Sequence, residues 1–145
     1  MPAMKPLTWI AVALAAVALD ASAAAQWSEV RKDSSAKLSV DSASMKRRGD
    51  QVSLKYLVDY ATPQGDPLYQ VRYLSVVTAA TLRCKPRTVS LGTTELYSGS
   101  GATGVLMATA QPTRREIAFA PIEKGTSDEE VWRHACEKKP EAKKP

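Results

Sequence analysis

Two cysteines, Cys84 and Cys136, are the residues of this 145-residue chain with the most chemistry to offer. In an oxidising compartment such a pair reads first as a disulfide, because such compartments make and keep the bond. A reactive thiol or a metal pair is the alternative, and the sequence lacks the neighbours that either needs. A closed loop of about 50 residues between them contributes on the order of 4 kcal/mol in the chain-entropy model. His134 is the only histidine, so no two-histidine metal site can form. Beside a helix end it reads as a polar surface residue that interacts well with the helix C-terminus when charged. Asp41, Asp50, Asp59 and Asp66 fall at strand ends and turns, where Asp serves backbone conformation; a paired-carboxylate hydrolase is the functional alternative.

Gly99, Gly101 and Gly104, with Glu123 further on, match the spacing of a dinucleotide-binding fingerprint. That fingerprint works only where the glycines open a helix inside a parallel β-α-β unit. Val105 to Ala110 is too short for the helix before Pro112, so the segment reads as a Gly-rich hairpin turn. Lys46-Arg47-Arg48 reads as a solvated turn that can contact an anionic partner, and Trp27, Tyr56 and Trp132 as core rather than ligand contacts. No catalytic residue, cofactor or metal is expected.

These residues must be positioned by a chain that begins with a leader. Lys5 precedes an unbroken low-polarity run from Leu7 to Leu19, followed by Ala23 and Ala25 at the spacing a signal peptidase reads. Cleavage between Ala25 and Gln26 is expected, with a cut after Ala23 second. The run is shorter than the roughly 20 residues needed to span a bilayer. Neither cysteine stands at the cut, so lipid anchoring by that route is excluded. The expected organisation is a signal peptide over 1–25, one domain over 26–136 and a disordered basic tail over 137–145. The net charge of +5 is mild and scattered, and it favours acidic surfaces in general. One Phe and no aromatic-basic motif argue against nucleic acid.

In the mature part, Gln51 to Tyr60 alternates apolar and polar residues with only Leu57 out of step, and Ala36 to Val40 does so over a shorter span. Both predict half-buried strands joined across a long connection that turns at Gly49-Asp50. Trp27 to Val30 predicts an edge strand, Thr62 to Pro67 a turn, Tyr69 to Val77 a further strand, and Leu82 to Leu91 a strand with a bulge or edge position near Pro86. Arg115, Ile117 and Phe119 close the β part. Ser127 then caps a short helix, with Glu130 reaching back as a capping box. The pairs Val131/Ala135 and Trp132/Cys136 would carry Cys136 inward, toward Cys84 on the sheet.

Trp27 at the start of the mature chain, Val40-Asp41-Ser42, Lys55-Tyr56-Leu57-Val58-Asp59-Tyr60, Tyr73-Leu74-Ser75, Leu82-Arg83-Cys84, Tyr97-Ser98-Gly99, Gly104-Val105-Leu106, Pro121 and Cys136 occur in an order that resembles the surface-adhesin protein E family. The resemblance spans nearly the whole mature chain. It implies an α+β, mainly β fold: an antiparallel sheet of about six strands with one C-terminal helix pinned by a Cys84–Cys136 disulfide. It also implies a non-enzymatic protein-binding role of an adhesin kind at, or on passage toward, the cell envelope. The expected location is periplasmic or secreted, and the expected partners are host or envelope proteins. The oligomeric state is left open, a homodimer included. A small periplasmic enzyme or enzyme inhibitor is the alternative. Two departures from the family pattern stand out: the namesake is lipid-anchored and this chain lacks the Cys for it, and Ile117-Ala118-Phe119-Ala120 stands where the family tends to place Trp before the Pro.

Overall fold

A computed structural model describes residues 24–137. The expected leader, apart from Ala24 and Ala25, and the expected tail beyond Glu137 lie outside the described residues. The chain runs through β1 (Trp27–Lys32), β2 (Ala36–Asp41), β3 (Lys46–Arg48), β4 (Gln51–Asp66), β5 (Val71–Arg83), β6 (Thr88–Tyr97), β7 (Leu106–Ala110), α1 (Arg114–Ile117), β8 (Ala120–Pro121) and α2 (Ser127–Trp132). A wider π turn, Arg133–Glu137, continues α2. The strands form one antiparallel sheet in the order β1-β2-β4-β5-β6-β7, with β3 added beside β4 and β8 beside β6. The six-strand path matches the expected sheet, and the two short additions bring the described residues to eight strands.

Alternation decides which face is buried. Leu38 and Val40 of β2, Val52, Leu54 and Tyr56 of β4, Ala80 and Leu82 of β5 and Val89 of β6 form one core with Val131 and Ala135, which the C-terminal helix lays across that face. Leu57, the residue out of step in β4, is buried on the opposite face beside its register partner Val77. Burying an aliphatic side chain of this kind contributes about 1.5–3 kcal/mol, so each face of the sheet carries part of the stability. The helix is short, and its attachment is correspondingly dense. The Tyr56 hydroxyl donates to Asp128 at 2.9 Å and Trp132 Nε1 donates to the Arg83 carbonyl at 3.1 Å. Cys84 and Cys136 close a disulfide with 5.5 Å between their Cα atoms, inside the usual span of the bond.

Four local expectations are corrected. Thr62 to Asp66 stay in β4, and the turn is Pro67 to Gln70. Pro63 is tolerated because it falls in an irregularity of the β4–β5 ladder between Asp59 and Gln64, where no backbone donor is required. Tyr69 therefore lies in the turn rather than in the strand. The phase change near Pro86 is a hairpin turn between β5 and β6, not a bulge, and Cys84 lies just past the end of β5. Arg115 and Ile117 are not strand: Thr113 and Glu116 form a reciprocal capping box that winds Arg114–Ile117 into a single helical turn. Only Ala120–Pro121 pairs with the sheet there. The cap of α2 is Thr126, whose side chain accepts from the Glu129 amide, and Ser127 is the first helical residue. Glu129 rather than Glu130 is the buried acid, and it meets Arg87 and Arg133 at 2.9 and 3.1 Å.

Candidate functional site

The face of the sheet away from the helix carries a trough of about 620 Å³ that is open to solvent. Its floor crosses β4, β5 and β6 on outward-facing residues that are all small: Ser53, Ala79, Thr81, Ser90 and Gly92. Ser53 lies opposite Thr81, and Thr81 opposite Ser90, so three hydroxyl residues stand in one row across three strands. Gly92 is part of the same device. A Cβ there would lie 3.2 Å from the Ala79 Cβ, so the pair keeps the floor shallow.

Local sequence sets both walls. On one side Lys55 projects from β4 and Lys46 from β3, and the Lys55 amide donates to Ser44 Oγ at 2.9 Å, which holds the connecting loop against the sheet. On the other side stand Pro112 and Ile117. The Thr113–Glu116 box shapes that turn, and Ser90 Oγ donates to the Ile117 carbonyl at 2.6 Å. No Asp or Glu lines the trough, and neither lysine takes part in an ion pair among the described residues. The result is one cationic wall, one apolar wall and a hydroxyl-bearing floor between them.

The hydroxyls are already engaged: Ser53 and Thr81 lie 3.3 Å apart and share a hydrogen bond, and Ser90 is committed to α1. No histidine or carboxylate stands beside them to act as a base. On the helix-covered face, burial pushes the Tyr56 hydroxyl far up from its usual range, with the Asp128 carboxylate adding to the shift. Burial also raises Asp128, against the opposing effect of the Tyr56 hydrogen bond. That pair fastens helix to sheet.

A second exposed feature is the end of the β4–β5 hairpin. β2 pairs with β4 only as far as Tyr60, and β6 with β5 only from Ser75, so the residues between overhang the sheet as a two-stranded arm. Tyr60 and Tyr73 brace its base edge to face, 6.1 Å between ring centres. Asp66 accepts from the amides of Leu68 and Tyr69 at its tip. Leu68 is 80% exposed there.

The structure disperses most residues singled out in the sequence. Gly99, Gly101 and Gly104 build the β6–β7 hairpin turn, which Ser75 pins by donating to the Gly99 carbonyl at 2.6 Å and accepting from the Ala102 amide at 3.0 Å. Asp41, Asp50, Asp59 and Asp66 do not converge, and no metal-holding group of His, Cys, Asp and Glu occurs among the described residues. His134 lies in the π turn. The Lys46-Arg47-Arg48 run is split by strand alternation: Lys46 lines the trough, whereas Arg47 reaches the Cys84 sulfur at 3.5 Å. Lys55, the small-residue floor and Ile117 were not singled out in the sequence. The only signal each strand offered was a pair of small residues or a single one, and it takes the register of the sheet to set Ser53, Thr81 and Ser90 side by side.

A disulfide-closed antiparallel sheet, with a helix across one face and an open trough on the other, defines a mainly β scaffold of the α+β class. By sequence, residues 27–137 match the surface-adhesin protein E family, and the chain belongs to it. Two solved structures of Haemophilus influenzae protein E share the fold. One matches with a TM-score of 0.52 at 15% identity, over 74% of this chain and 88% of that one. A second crystal form gives 0.53 at 16%, over 79% and 97%. Comparison with curated proteins gives no match. No helix among the described residues is long and apolar enough to cross a membrane.

Proposed function

We propose that the mature chain is an exported, non-catalytic protein-binding module of the cell envelope, periplasmic or secreted, and that it engages its partner through the trough. The observation that carries this reading is the pairing of an unneutralised lysine wall with a floor of small side chains. Such a surface accepts a chain segment laid across the strands with its acidic residues at Lys46 and Lys55 and an apolar side chain against Ile117. Two strand spacings plus the walls span on the order of 10–15 Å, the reach of about four extended residues. An acyl chain in the same place would stay half in water and would face the floor hydroxyls, which favours a peptide segment over a lipid. The engaged hydroxyls support binding rather than catalysis, and family membership supports an adhesin-like partner.

The test is titration of the purified mature protein against a panel of matrix proteins and envelope extracts, with Lys46→Glu/Lys55→Glu as comparison. Expected is saturable binding that weakens with salt, as exposed charge pairing does, and that drops at least tenfold in the double variant. Saturable binding to none of the panel, or equal binding by the variant, would sink the reading.

A further inference from the structure

The first described turn of chain holds an arrangement that the uncut polypeptide uses incompletely. The Gln26 backbone nitrogen lies 2.8 Å from Asp41 Oδ1. The same oxygen accepts from the Ala43 amide at 3.0 Å. On its other side Gln26 is gripped through its carbonyl, which accepts from the Ser42 amide at 2.9 Å and from Ser42 Oγ at 3.2 Å. The next residue, Trp27, opens the β1–β2 ladder opposite Asp41. Asp41 is only 6% exposed, and no cation pairs with it among the described residues. The donors that meet Asp41 Oδ1 are neutral amides, and a charged donor makes a shorter and stronger hydrogen bond to a carboxylate than a neutral one does.

The sequence places signal-peptidase cleavage between Ala25 and Gln26, and both residues are exposed and lie outside the strand. Cleavage there converts the nitrogen at 2.8 Å from Asp41 from a neutral amide into an α-ammonium. We propose that leader removal completes this site: the new amino terminus of Gln26 forms a charge-assisted hydrogen bond with Asp41 and locks the start of β1 onto β2. Nothing has to move, because the nitrogen already stands at bonding distance and its residue is held by Ser42. A cut after Ala23 would leave a peptide amide at this position and the carboxylate without its cation.

The inference rests on the export reading, but the pairing can be measured without it. Purified forms beginning at Gln26 and at Ala24, each with and without Asp41→Asn, are unfolded in urea at pH 6.5. The Gln26 form should have an unfolding constant at least fivefold smaller than the Ala24 form, and Asp41→Asn should erase the difference. Equal stabilities, or a difference that survives Asp41→Asn, overturn the proposal. A second readout serves if the Asn variant does not fold. An N-terminal Gln cyclises when its free α-amine attacks its own side-chain carbonyl, forming the ring C–N bond and expelling ammonia. Held as an ammonium by Asp41, the folded Gln26 form should cyclise at least fivefold more slowly than the same chain in urea, and equal rates would count against pairing. In cells, an intact mass beginning at Gln26 supports the assignment of the cut, and one beginning elsewhere overturns it. Retention of the uncut chain in the cytoplasm would instead defeat the export reading.

Discussion

Asp33 shows what a single residue at a turn can control. Its carboxylate accepts from the Ser35 amide, the Ser35 hydroxyl and the Ala36 amide between β1 and β2, with Arg31 at 2.7 Å. The Ser35 contacts lead in drawing its pKa down to about 2. A depressed carboxylate contributes stability that is present above its unfolded value and lost as pH falls through the folded one. Urea midpoints of the wild-type protein should therefore fall between about pH 4 and pH 2 more steeply than those of Asp33→Asn. The variant should be the less stable above pH 4, with the gap closing toward pH 2; parallel curves would refute the assignment. Gly104 is constrained in a different way. Its φ is +78°, and a Cβ would lie 2.5 Å from Ser98 Oγ and 3.1 Å from the Gly99 nitrogen. Gly104→Ala should cost about 1–3 kcal/mol, measured by chemical unfolding. Turn glycines were legible in the sequence because their conformational role is local, and the cysteines because the chain has only two of them. The Asp41–Gln26 contact was not, because a carboxylate at a strand end looks the same whether or not the fold brings a distant nitrogen to it.

At the scale of elements, the alternating strands were legible and their junctions were not. β4 and β2 declare themselves through period-two burial, but Arg115, Ile117 and Phe119 alternate too, and there a capping box outweighed the alternation. The overhanging arm escaped notice because strand pairing partners, which end at Tyr60 and Ser75, are a property of the sheet. A two-stranded ribbon is marginal on its own. Amide exchange from Gln64 to Tyr73 should run much faster than from Val52 to Leu57, and equal protection would show that the arm is better held than its pairing indicates. The C-terminal helix depends on its staple. Replacing Cys84 and Cys136 together by Ser should lower unfolding free energy by on the order of 4 kcal/mol, the loop-closure value for this separation. A loss under 1 kcal/mol would mean that Val131, Ala135 and the Tyr56–Asp128 bond hold the helix unaided.

Across the whole molecule, the division of labour follows the two faces of the sheet. The helix side is occupied by core, disulfide and the two arginines that meet the buried Glu129, whereas the opposite side presents a floor of small residues between lysine and isoleucine walls. Single strands could be read from their alternation, the cysteine pairing from there being only two cysteines, and the sheet with its pinned helix from the resemblance that residue order carries. The trough could not, because it is made by small residues on three strands that only the register sets side by side. The arm gives this architecture a mechanical character. β4 and β5 run from its tip through the middle of the sheet, flanked by β2 and β6. A pull on the tip along the strands would reach those neighbours as shear, loading each ladder's hydrogen bonds in parallel instead of peeling them one by one. Tension applied at that end of the molecule would thus meet the sheet in its most resistant direction.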